Sequence, residues 1–169
     1  MIAEFLVLIV FPGLLLAAAG WDIASYTIPN FIQIALLAAF IALAIATGMT
    51  PGMLGTHVLA GVGGLAIGFT LFTFGLVGGG DAKLFACTAL VLGFHDFLDY
   101  ALIASLFGGA LTLGLLALRR LPLPNFLAVQ GWILRLHDEK GGIPYGVALA
   151  LGAFVILPHT EIFHIAAGA

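Results

Sequence analysis

Asp22 and Asp81 are the residues of this chain best placed to do chemistry. Asp22 closes the first long apolar run. Asp81 follows three glycines, in Gly78-Gly79-Gly80-Asp81-Ala82-Lys83-Leu84, between two further apolar runs. A carboxylate at a bilayer boundary is costly to place and marks a functional site by default. The glycines remove side chains beside it and admit the close approach of backbone or of a substrate chain. Two carboxyl groups about 3 Å apart cannot both ionise, so such a pair holds one proton between them. The ionised member takes a proton from a water as that water attacks a carbonyl, and the protonated member donates to the carbonyl oxygen. That is peptide hydrolysis by an aspartic dyad, and it needs no metal and no cofactor.

Other chemistries fit less well. Gly75 and Gly80 have the separation of a phosphate-binding loop, but Asp81 replaces the required Lys-Ser/Thr and would repel phosphate. Ser25 and Ser105 are the only serines, and neither lies in a nucleophile motif. His57, His95, His137, His159 and His164 include no pair within one helix at the i, i+4 spacing of a metal site. The single cysteine, Cys87, excludes an intrachain disulfide and a cysteine-cluster zinc site. Lys83 reads either as a boundary anchor or as a contact for a substrate carboxylate or a lipid headgroup.

The elements that position these residues are membrane helices. The chain has 169 residues, enough for one domain over 1–169. Only 8% of them are charged and 63% are hydrophobic, against about 25% charged in a soluble globule. A mean hydropathy of +1.24 agrees. The net charge of −3 and the lack of a basic tract exclude nucleic-acid binding. At about 20 apolar residues per crossing, six spans are expected: about 2–21, 31–47, 56–77, 82–94, 100–118 and 143–157. The fourth is short and crosses only if it starts inside the glycines or runs past His95. Asp22 to Asn30 reads as a polar loop and 48–55 as a turn. Gly61, Gly64 and Gly68 lie on one face of the third span, where small residues let helices approach. Phe126, Val129, Trp132 and Leu136 predict a short helix on the membrane surface. Ala17-Ala18-Ala19 resembles a cleavage site, but Met-Ile-Ala-Glu lacks the basic residues of a signal peptide, so a retained helix is expected.

Six spans place both termini on one side. All five basic residues (Lys83, Arg119, Arg120, Arg135 and Lys140) then fall in the loops of the other side, about 22–30, 78–83 and 119–142. The positive-inside rule makes that side cytoplasmic and the termini extracytoplasmic. Asp22 and Asp81 share the cytoplasmic face, as a pair must.

Taken together, the motifs resemble those of the type IV prepilin peptidases, intramembrane aspartic proteases with a Gly-x-Gly-Asp signature. Here that is Gly78-Gly79-Gly80-Asp81, extended by Ala82-Lys83-Leu84. The family's other aspartate follows the first span and precedes Ile-Pro-Asn, here Asp22 with Ile28-Pro29-Asn30. A later Pro-Tyr-Gly opens the last span, here Pro144-Tyr145-Gly146. The resemblance implies an all-helical multi-pass protein of the bacterial inner membrane. It implies a prepilin substrate with a basic leader and a hydrophobic N-terminal helix, cut at the cytoplasmic face. Long members carry a tetracysteine zinc loop and also N-methylate the product. With one cysteine and a short Asp22–Asn30 loop, this chain is similar to the short form serving tight-adherence (Flp) pili. Archaeal preflagellin peptidases share the signature. Two readings from other classes stand beside it: a small proton- or cation-coupled transporter using the same aspartates, and a structural subunit of a secretion apparatus. The charges at span ends and the unmatched halves speak against the transporter.

Overall fold

A computed structural model describes residues 1–124, 129–139 and 141–168. The described residues are all-helical. Helix α1 covers Ile2–Ser25, α2 Asn30–Thr47, α3 Pro51–Thr73, α4 Gly79–Leu92, α5 Phe97–Arg119, α6 Gly131–His137, α7 Tyr145–Ile156 and α8 Glu161–Ala167. A widened π turn at Leu6–Val10 sits just ahead of Pro12 in α1, where the missing N–H and the ring disturb the regular ladder.

Among the described residues, four helices (α1, α2, α3 and α5) are long and apolar enough to cross a bilayer. A fifth crossing exists if α7, its 3-10 extension to His159 and α8 form one span bent by 63°. The expected fourth span is different in kind. Helix α4 does begin inside the glycines, but its 14 residues rise only about 21 Å, short of the roughly 30 Å hydrocarbon core. It is sheathed by other helices: α3 packs along it, with α2, α5 and α7 also against it, and all but four of its residues are buried. Large apolar side chains such as Ile41, Ile45, Leu102 and Leu113 instead face outward from the longer helices, the arrangement that a lipid solvent favours.

Several boundaries move from their expected places. Helix α1 continues past Trp21 to Ser25, so Asp22 is inside a helix rather than in a loop. Its side chain finds a partner on α7 and has no reason to leave the helix. The left-handed Tyr26 (φ 52°) ends α1, its amide donating to the Asp22 carbonyl. The expected turn over 48–55 is mostly helix. Thr50 caps α3 by accepting from the Met53 amide at 3.3 Å, and Pro51 opens it. The predicted surface helix is observed as Gly131–His137, carrying Trp132 and Leu136; Val129 precedes it, and Phe126 lies outside the described residues.

The α3–α4 contact explains the glycine stripe. A Cβ on Gly61, Gly64 or Gly68 would meet Leu90, Ala86 and Ala82 in turn, so the helices run antiparallel with backbones nearly touching. At Gly68 it would lie 3.0 Å from both the Ala82 Cα and the Ala82 carbonyl oxygen. Gly68→Ala is expected to cost about 1–3 kcal/mol, as overpacking does, read by unfolding in mixed micelles. Gly13→Ala, where a Cβ meets nothing within 4 Å, is expected to leave the transition unmoved.

Candidate active site

Asp22 and Asp81 arrive at one place from three elements. Val7, Phe11, Leu15, Ala18 and Asp22 form the buried stripe of α1, so Asp22 is the last inward-facing position of an otherwise apolar face. Asp81 sits in the first turn of α4, where its Oδ2 accepts from the Gly78 amide at 3.1 Å. The helix N-terminus there favours a carboxylate. The third element is the start of α7. The Gly146 amide donates to Asp22 Oδ2 at 2.6 Å, and the same amide also acts on Asp81. Asp22 feels the charge of Asp81, and both are buried, Asp22 3% and Asp81 9% exposed. Asp81 Oδ1 makes no hydrogen bond within the described protein.

The glycines have separate reasons. A Cβ on Gly78 would come to 2.9 Å from Asp81 Oδ2. One on Gly80 would press on Ile28, 3.2 Å from its Cβ and 3.3 Å from its backbone nitrogen. Gly80 therefore lets the first turn of α4 lie on the Ile28-Pro29-Asn30 segment. Gly79 meets only the Phe72 ring, at an ordinary 3.4 Å. At Gly146, a Cβ would fall 2.9 Å from Asp22 Oδ2 and 3.0 Å from Ile28 Cδ1. Pro29 caps α2 with φ −62° and ψ 141°. Pro144 caps α7, and the Tyr145 ring packs over Gly108 on α5, where a Cβ would meet its Cε1 at 3.2 Å.

Lys83 donates to Asn30 Oδ1 at 2.9 Å, tying α4 to the start of α2. The bond is exposed, and losing it in Lys83→Met is expected to change the unfolding free energy by less than about 1.5 kcal/mol, measured by the same micelle titration. Gln33, absent from the residues expected at the site, is buried beside the same junction. With its amide nitrogen turned toward acceptors it donates to Pro29 O (2.7 Å) and Asn30 O (3.2 Å). The opposite orientation leaves a long 3.5 Å contact with Gly80 O and is the poorer assignment. The signal for Gln33 was available: a carboxamide one turn into an apolar run is expensive without partners.

A cavity of about 350 Å³ opens beside Asp81. Asp81 and Tyr145 lie at its lining, and Gly68, Ala104, Gly108 and Ala148 make its walls shallow. The arrangement places the Asp81 carboxyl, with the Asp22 carboxyl acting on the same amide, at the edge of a largely apolar cavity.

The sequence model of the type IV leader peptidase family matches residues 9–113, more than half of the chain and both aspartates. The chain belongs to the type IV leader peptidase family. The resemblance carried by the motifs is thereby borne out at family level. A prepilin leader peptidase/N-methyltransferase of Bacillus subtilis (strain 168) is 35% identical over 155 residues, covering 85% of this chain. The chain spans 60% of the length of that leader peptidase. No solved structure gives a significant match. Pro144-Tyr145-Gly146 lies beyond the residues that the family model matches, although Gly146 touches Asp22 directly.

Proposed function

We propose that this chain is a membrane-embedded aspartic endopeptidase that removes the basic leader from prepilins, with Asp22 and Asp81 as the catalytic dyad. The observation that carries the reading is the convergence of both buried carboxylates on the Gly146 amide. Two such groups share one proton, and the dyad titrates as a unit. Gly146 N–H holds Asp22 Oδ2 and Gly78 N–H holds Asp81 Oδ2. Asp81 Oδ1 is then the oxygen left to meet water or the scissile carbonyl. The ionised member deprotonates the attacking water and the other protonates the carbonyl oxygen; the amine then leaves with a proton from the dyad.

The cavity lies along Asp81 and takes the apolar residues that follow the cut. The basic leader stays on the polar side. Lys83, Arg119 and Arg135 bond to the segments at this end of the bundle, which supports a cytoplasmic dyad in a bacterial inner membrane; α4, short as it is, runs antiparallel to α3 and carries the chain back toward the other end, which keeps both termini extracytoplasmic. The short connection between α1 and α2 favours prepilins of the tight-adherence type.

Purified protein in detergent, given a prepilin, is expected to release the leader as a free acid. Hydroxylamine added during turnover yields no leader hydroxamate, because no acyl-enzyme forms. A hydroxamate product would replace the dyad by a nucleophile.

A further inference from the structure

We propose that Arg119 is a positioning residue for the dyad, acting through the segment that carries Gly146. The inference rests on the dyad reading above. Arg119 ends α5, where a basic side chain ordinarily reaches into solvent or headgroups. Here it is only 6% exposed. All three guanidinium nitrogens donate to backbone carbonyls: Nε to Leu136 at 2.8 Å, Nη1 to Gly141 at 3.0 Å and Nη2 to Gly142 at 2.7 Å. A buried cation is tolerated only when hydrogen-bonded, and a planar fork fixes the relative orientation of what it holds.

What it holds leads to the site. Three residues separate Gly142 from Gly146, and Pro144 among them has its φ set by its ring (−76°). Little slack remains, so the guanidinium sets where the Gly146 amide stands against Asp22. Gly141 shows how tightly the segment is seated. A Cβ there would lie 2.9 Å from the Arg135 carbonyl oxygen, 3.0 Å from that of Asp138 and 3.3 Å from Arg119 Nη2. A second strap runs from α6 to the helix of Asp22. Arg135 Nη2 donates to the Ala24 carbonyl, and Tyr26 donates its hydroxyl proton to the Arg135 carbonyl at 3.2 Å. Through Leu136 and Arg135, α6 thus joins the end of α5 to the end of α1.

The test compares Arg119→Ala and Arg119→Lys with the exposed neighbour variant Arg120→Ala, using purified protein, a prepilin and peptide-level hydrogen exchange. For Arg119→Ala, kcat is expected to fall by about 10- to 100-fold, as a small misplacement of reacting groups does, with KM moved less than about threefold. Exchange over 143–147 speeds up by at least about tenfold while that of 82–92 stays unchanged. Arg119→Lys keeps the charge but not the fork, so it recovers only part of kcat. Guanidinium ion at tens of millimolar is expected to raise kcat of Arg119→Ala but not of wild type. Arg120→Ala behaves as wild type. A kcat within about twofold of wild type, unchanged exchange over 143–147, or equal loosening of 82–92 would each overturn the positioning role. If the alanine variant does not accumulate, Arg119→Lys decides: full activity overturns the proposal and reduced kcat at constant KM supports it. Asp22→Asn run in parallel separates the two readings. Activity in that variant overturns the dyad, whereas its inactivity beside a fully active Arg119→Ala overturns Arg119 alone.

Discussion

Asp22→Asn is expected to abolish leader removal, and Asp81→Asn to do the same, each by at least about 10³-fold, the scale of losing an acid–base group and its coupled partner. Asparagine keeps the shape and still offers an oxygen to the Gly146 or Gly78 amide. It loses the ability to exchange a proton with water. Stability is expected to move the other way. Each substitution removes one of two buried carboxyl groups that compete for a single proton, so both variants should resist unfolding at least as well as wild type. Co-expression with a prepilin, mass analysis of the product and membrane fractionation check the three statements together. Near-wild-type processing by either variant would remove that aspartate from the mechanism. Inactivity with loss from the membrane fraction would reduce the residue to a folding role.

The second large effect is expected at Gly146. Gly146→Ala places a methyl 2.9 Å from Asp22 Oδ2, 3.0 Å from Ile28 Cδ1 and 3.1 Å from Asp22 Cβ. Asp22 and Ile28 are both buried, and Asp22 Oδ2 is held by the Gly146 amide itself, so either Asp22 or the start of α7 must shift. A displacement of this kind costs about 10²-fold in rate and about 1–3 kcal/mol in stability. Gly114→Ala, on α5 with nothing within 4 Å of its Cβ, supplies the control. Both are read as kcat with purified enzyme. A Gly146→Ala enzyme within about threefold of wild type would mean that the amide does not need its present distance from Asp22.

Much of this protein is legible in the residue order because lipid leaves few alternatives: apolar runs must become helices. The apolar run ending in Asp22, the glycine face of α3 and the Gly-x-Gly-Asp turn could all be read, since each depends on local spacing. Helix ends were less legible. Asp22 looked like the start of a loop because an aspartate after an apolar run usually is one. It stays helical only because Gly146, more than a hundred residues later, supplies a donor. Likewise α4 looked like a short span, and only its neighbours show it to be a buried central helix.

The sequence by itself determined the solvent, the helices and the two acidic residues with the glycines beside them, because composition and period suffice for those. The tertiary structure alone decided that one backbone amide at Gly146 meets the pair, and that Arg119 is turned inward onto three carbonyls. Such contacts join parts of the chain with no short-range relation, so they follow from the packing of α1, α4, α5 and α7 and from no local pattern.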